Sequence, residues 1–189
     1  YEIDYTNDVI KVKYYYEIVG LKKFIHQLEF PYTNPTINKE YVSYLAFNIG
    51  LLELISYWKA TIAKKVIINC GYIDESQIAF FKKVYFHGQG EFFYLNGINL
   101  DYEDFMTIEC REKNNKVTVS YKGKGSLIAI GGGKDSCVSL NLYKKENTGC
   151  FIINPKPTML ECAKLAGYSD KNIYKVKRIL DKGIIELNE

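Results

Sequence analysis

The stretch Leu127-Ile128-Ala129-Ile130-Gly131-Gly132-Gly133-Lys134-Asp135-Ser136 decides how this chain is read. Its first four residues form a short apolar run of the kind expected in a strand buried on both faces of a parallel sheet. Three glycines then let the backbone curl so that successive N–H groups converge on one point, which a Cβ at those positions would hinder. A helix is expected to begin near Asp135 and Ser136, to use Val138, Leu140 and Leu142 as apolar contacts, and to end around Asn147 to Gly149. Such a loop suits phosphate oxygens. The helix N-terminus contributes about half a positive charge, Lys134 a full one, and Ser136 a hydroxyl. Asp135 does not favour an anion by itself, so its natural partner is a divalent cation, magnesium, riding on the phosphates.

Two familiar phosphate motifs do not fit. Walker A needs glycine where Ile128 stands and Ser or Thr where Asp135 stands. The dinucleotide fingerprint needs glycine at Ser136. The segment instead resembles the Ser-Gly-Gly-x-Asp-Ser motif of the PP-loop ATP pyrophosphatases at every position except the first, where Gly131 replaces Ser. That resemblance implies ATP cleaved between its α and β phosphates, with Gly131, Gly132, Gly133, Lys134, Asp135 and Ser136 on the nucleotide and Asp135 on the metal.

Downstream, Cys150 to Asn154 reads as a second buried strand, and Pro155-Lys156-Pro157 opens a helix to Ala166 closed by Gly167. This is one βαβ unit with its right-handed crossover. Ligands of open parallel sheets sit beyond the carboxyl ends of strands, so Asn154 lies where adenosine would be read. A third strand is expected from Asn172 to Val176.

Upstream, Lys122-Gly123-Lys124-Gly125 looks like a linker, because the pattern after it changes to alternating strand and helix. The expected division is an N-terminal α+β substrate-side domain, residues 1–124, and the start of a parallel-sheet, Rossmann-like PP-loop domain, residues 125–189. Residues 1–30 read as mixed strand and helix around Tyr14-Tyr15-Tyr16. After a break at Pro31 and Pro35, a long helix is expected from Asn38 to Ala63, with Asn48, Ser56 and Lys59 on one arc and Glu53 at its edge. That wet stripe either borders a core helix or lines a substrate pocket. Lys65 to Cys70 reads as a strand. Asp74 and Gln77 then offer a capping box for a helix ending near His87. Glu91 to Gly97 reads as an aromatic segment closed by a turn, and strands at 105–110 and 116–121 as a hairpin.

With 47% apolar and 15% aromatic residues in 189, the chain can bury a sizeable core. A net charge of +3 demands no polyanionic partner, and no nucleic acid is expected. Five cysteines without CxxC spacing argue against a structural zinc or a disulfide framework. The most apolar stretch, 41–60, contains Glu53, and a central carboxylate in a bilayer costs about 2 to 3 kcal/mol. A buried helix, no membrane association and a cytosolic location follow as expectations. The chain begins with Tyr1 and ends at Glu189 without a closing signal, so a fragment is expected.

Three segments carry a family resemblance: Gly50-Leu51-Leu52-Glu53-Leu54-Ile55-Ser56-Tyr57-Trp58-Lys59-Ala60, Gly90-Glu91-Phe92-Phe93-Tyr94-Leu95-Asn96-Gly97, and the glycine loop. Over residues 40–189 the chain resembles the ATP-dependent UDP-N-acetylmuramoyl-L-alanyl-L-glutamate epimerases of bacterial peptidoglycan synthesis. The resemblance implies ATP-driven inversion of the terminal L-glutamate of a small UDP-linked muramoyl dipeptide, through an acyl adenylate. Inversion wants an acid and a base on opposite faces of Cα. Glu53, Lys59, His87 and Glu91 are the candidates, with Glu91 and Lys59 preferred, and further catalytic residues are expected outside this chain. Two rivals stay open. An RNA-modifying or amide-forming ATP pyrophosphatase should show a catalytic cysteine pair or a basic face, neither evident here. A non-catalytic nucleotide-binding module is the other.

Overall fold

From Val9 to Ile18 the residues alternate inward and outward: Ile10, Val12 and Tyr14 are buried, while Lys13, Tyr15 and Glu17 face out. A period of two is the signature of a strand with one covered face. In the computed structural model, which describes residues 1–6, 8–32, 37–112, 123–144 and 147–187, this segment is strand β2 (Val9–Ile18). It pairs antiparallel with β1 (Glu2–Tyr5) and β3 (Lys22–Pro31). The expected mixture of strand and helix over residues 1–30 is thus corrected to three strands. The tyrosine run concealed the alternation, because Tyr14 and Tyr16 turn in while Tyr15 turns out.

Asn38 caps helix α1 (Lys39–Glu53), its side chain accepting from the Tyr41 N–H at 3.1 Å. The single helix expected to reach Ala63 breaks at Leu54 and resumes as α2 (Ile55–Trp58). Contacts between residues three apart, such as Tyr57 N–H to Leu54 O at 3.0 Å, tighten the chain there. Tyrosines fasten α1 from both sides. Tyr14 and Tyr16 of β2 donate to Ala46 O and Gly50 O at 2.9 and 2.7 Å, and Tyr85 donates to Leu51 O at 2.7 Å. Gly50 makes this approach possible: a Cβ there would stand 2.6 Å from the Tyr14 ring.

A second, two-stranded sheet pairs β4 (Lys65–Ile68) with β5 (Thr107–Cys110) in parallel. Helix α3 (Glu75–His87) lies between them in sequence and begins with the expected Asp74–Gln77 capping box. The aromatic segment after it, whose secondary structure the sequence pattern leaves unspecified, is a helix, α4 (Gly90–Leu95). Phe93 turns inward onto Trp58, Tyr85, Phe105 and Met106, and one aromatic in four or five residues satisfies a helix buried along a single edge. The hairpin partner expected at 116–121 lies outside the described residues.

The C-terminal third runs β6 (Ser126–Ala129), α5 (Lys134–Leu142), β7 (Thr148–Ile153), α6 (Pro157–Leu165), β8 (Ile173–Ile179) and α7 (Lys182–Glu186). Strands β6, β7 and β8 are parallel, as expected, and β8 pairs antiparallel with β3. The result is one six-stranded sheet in the order β1-β2-β3-β8-β7-β6, holding strands from both sides of residue 124. Register decides which helices cover which face. Ile128, Cys150 and Ile173 lie in one paired row and, with Leu140 of α5 and Ala163 of α6, form a core on one face. Leu28 pairs with Arg178, which puts Arg178 on the opposite face, beneath α1. Strand β6 is therefore buried on one face only, correcting the expectation of two. Both crossover helices pack on the row of Ile128, leaving Leu127 60% exposed.

Gly50→Ala tests the tyrosine contact. It should destabilise the fold by about 1 to 3 kcal/mol through overpacking against Tyr14. Gly90→Ala, where an added Cβ meets nothing within 4 Å, should change stability by under about 0.5 kcal/mol. Urea unfolding of the two variants measures both.

Candidate functional site

The glycine loop sits at the carboxyl end of β6, where Ile130 N–H still bonds Phe151 O at 2.9 Å and so carries the sheet up to its first glycine. Gly132 adopts φ +84°, a left-handed conformation that side chains resist. Gly131 N–H donates to the Ser136 hydroxyl at 3.0 Å. Ser136 is therefore buried and braces the loop from inside, while Gly131, Gly132, Gly133, Lys134 and Asp135 are exposed. A Cβ on Gly133 would meet nothing within 4 Å, so open space fronts the first turn of α5. These residues fit an anionic phosphate group: free backbone N–H groups at a helix start, the Lys134 ammonium, and room. Among the described residues no cluster of three or more His, Cys, Asp or Glu could hold a metal ion. A cation at Asp135 would need phosphate oxygens among its ligands.

Asn154 ends β7 in a left-handed conformation, φ +48°. Its side-chain amide lies against the backbone of β8, donating to Arg178 O at 2.9 Å and accepting from Arg178 N–H at 2.7 Å. The residue expected to read adenosine thus extends the ladder by one side-chain rung. The helix that follows closes on the glycine loop, with Met159 of α6 packed where a Cβ on Gly132 would approach its Cγ at 3.1 Å.

On the other side of β8, the Arg178 side chain reaches into the wet stripe of α1 and α2. Its Nη2 and Nε lie 2.6 and 2.7 Å from one Glu53 carboxylate oxygen, and Nη2 donates to the Ser56 hydroxyl at 2.9 Å. His26, wholly buried on β3, stands with Nε2 3.2 Å from the same oxygen, off the hydrogen-bonding line, and with Nδ1 3.1 Å from the Tyr57 hydroxyl. That hydroxyl also accepts from Asp181 N–H at 3.2 Å. Burial acts to raise the Glu53 carboxyl, but His26 and Arg178 outweigh it and hold the group below its ordinary value. Glu53 and Ser56 therefore face β8, where the sequence left open whether they line a pocket.

The preferred catalytic candidates lie elsewhere. Lys59 sits just past α2, with its ammonium 5.4 Å from the Phe92 ring centroid. Glu91 is exposed in the first turn of α4, beside Phe92 in sequence, and makes no ion pair among the described residues. His87 is exposed and stacks on Tyr102 at 5.8 Å. Lys59 lies against the Phe92 ring and Glu91 stands exposed on α4, while Glu53 joins Arg178 and His26. Sequence reading missed Arg178 and His26. One signal was available: Arg178 is one of only two arginines in a lysine-rich chain, and arginine is the residue that suits forked pairing with a carboxylate. A further pairing was not visible at all. Cys137 and Cys162, far apart in sequence, bring their sulfur atoms to 3.1 Å.

Replacing Glu53 with Gln should lower stability at neutral pH by about 1.5 to 3 kcal/mol, the range for hydrogen bonds to charged groups. Because the folded carboxyl is held below its ordinary value, this contribution is full above the usual carboxylate range and fades as pH falls through the depressed value. Urea midpoints of wild type and Glu53→Gln should converge on acidification below about pH 4. A constant gap down to pH 2.5 would count against the ion pair.

A family model described as the MurL N-terminal domain matches residues 1–189. A UDP-N-acetyl-alpha-D-muramoyl-L-alanyl-L-glutamate epimerase of Xanthomonas oryzae pv. oryzae is 30% identical over 142 residues, which are 74% of this chain and 31% of that protein. The chain thus matches about a third of the length of this relative. No solved structure matches. Among the described residues no helix is long and apolar enough to cross a membrane. With the whole of its length matched by the family model, this chain belongs to the MurL N-terminal domain family.

Proposed function

We propose that the full-length protein inverts the terminal L-glutamate of UDP-N-acetylmuramoyl-L-alanyl-L-glutamate in peptidoglycan synthesis, at the expense of ATP. The observation that supports this most is the braced glycine loop of a chain whose relative carries that activity in its name: Gly132 left-handed, Ser136 folded under Gly131, and open space before Gly133. In this reading residues 125–189 carry the PP-loop-like, ATP-binding part and residues 1–124 the substrate side, the two parts sharing one six-stranded sheet. The loop N–H groups and Lys134 would hold the phosphates, and Asp135 would hold a magnesium ion, which would supply charge neutralisation there.

The chemistry explains the nucleotide. A free carboxylate leaves its neighbouring Cα–H very weakly acidic. Attack of a carboxylate oxygen on the α phosphorus breaks the bond to the β phosphate, releases pyrophosphate and makes an acyl adenylate. The adenylate withdraws charge, so a positioned base can remove the Cα proton and an acid can return one to the other face. Hydrolysis then frees AMP and the D-glutamyl product. Glu91 and Lys59 are the acid–base candidates on this chain, Glu91 exposed in the first turn of α4 and Lys59 against the Phe92 ring. The cysteine pair removes one argument against an RNA-modifying relative, but the small net charge and the family favour the muramoyl substrate.

Full-length protein incubated with ATP, magnesium and the UDP-muramoyl dipeptide should release pyrophosphate and D-glutamate after hydrolysis of the product. Release of neither would defeat the proposal. Asp135→Ala should slow pyrophosphate release at least tenfold, a loss of about 1.4 kcal/mol in the transition state, and unchanged turnover would remove Asp135 from the metal. Gly132→Ala should weaken ATP binding, measured by calorimetry, because it strains a left-handed φ and crowds Met159.

A further inference from the structure

We propose that Cys137 and Cys162 form a dithiol modification site, which low-molecular-weight disulfides of the oxidised-glutathione class convert to an internal disulfide that ties the glycine-loop helix to α6. The two sulfur atoms stand 3.1 Å apart as free thiols. About 1 Å of further approach brings them to bonding length. Their elements already touch, since α5 and α6 share one core through Leu140 and Ala163. Cys137 is exposed and Cys162 partly so, whereas Cys150, on the β7 row beneath them, is buried and out of reach of a reagent. Access and proximity therefore select this pair from the five cysteines.

The exchange balances without any other oxidant. The Cys137 thiolate attacks one sulfur of the external disulfide, breaking its S–S bond and releasing one small thiol, and leaves a mixed disulfide on Cys137. The Cys162 thiolate then attacks the Cys137 sulfur and expels the second small thiol. Two cysteine thiols are oxidised, one disulfide is reduced, and the two protons end on the released thiols.

Position gives the bond its consequence. Cys137 directly follows Ser136, whose hydroxyl braces Gly131, and Cys162 lies in the helix whose Met159 packs on Gly132. The disulfide closes the chain from α5 through β7 to α6, so both walls of the loop become one covalent unit. The effect on nucleotide binding rests on the phosphate reading of this loop, while the modification itself does not.

Full-length protein treated with excess oxidised glutathione, then digested and analysed by mass spectrometry, should yield a cross-linked peptide pair containing Cys137 and Cys162, two hydrogens lighter than the separate peptides. Cys162→Ser should instead retain glutathione on Cys137. Cross-linking of Cys70 or Cys110 while Cys137 and Cys162 stay free, or an unresolved adduct on Cys137 in the wild type, would overturn the site. The oxidised protein should bind ATP at least threefold more weakly than the reduced form, with affinity restored by dithiothreitol, and Cys137→Ser should show no response to the oxidant. A complete cross-link with unchanged ATP affinity would overturn the coupling to the loop. ATP binding to neither form would instead point to failure of the nucleotide reading, with the dithiol intact.

Discussion

The ion pair between Glu53 and Arg178 is the joint on which this architecture depends. It connects the end of α1 to β8 across 125 residues of chain, and it lies where the antiparallel N-terminal strands meet the parallel C-terminal ones. Two charges drawn out of water are stabilising only if their remaining hydrogen-bonding capacity is met. Here Ser56 accepts from the guanidinium, His26 stands beside the carboxylate without a hydrogen bond to it, and Tyr57 links His26 to the backbone at Asp181. The carboxyl responds by staying ionised further into acid. A hydrophobic pair of equal volume could join the same elements, but it would not specify which residue of β8 lies beneath α1.

From that joint the candidate site can be followed across the sheet. The backbone of Arg178 grips the Asn154 amide on one side while its side chain grips Glu53 on the other. Asn154 turns the chain out of β7 toward α6, and α6 packs beside the left-handed Gly132. The loop is thus supported at a distance from its own exposed surface. Its N–H groups are presented by a buried serine beneath and a helix alongside, which is how a flexible glycine run is held ready for an anion.

Much of this was legible in the residues. The strand, glycine loop and helix around Gly132 appear where the apolar run and the glycines place them, and the second and third parallel strands follow close to their expected positions. The Asp74–Gln77 box marks α3 correctly, because capping is a local interaction between neighbours in sequence. Where reading failed, a tertiary choice overrode a local signal. Glu2–Tyr5, Val9–Ile18 and Lys22–Pro31 are strands, with no helix among the described residues before Asn38, since Tyr14 and Tyr16 are needed under α1. Strand β6 is open on one face because both of its covering helices chose the other.

The sequence by itself determined the βαβ unit, the glycine loop and the family, because each is written in contiguous residues whose spacing has physical meaning. Only the tertiary structure decided what the wet stripe of α1 meets, that β3 and β8 are neighbours, and that Cys137 faces Cys162. Those facts depend on contacts between residues far apart in sequence, and no local propensity encodes which distant partner will lie opposite.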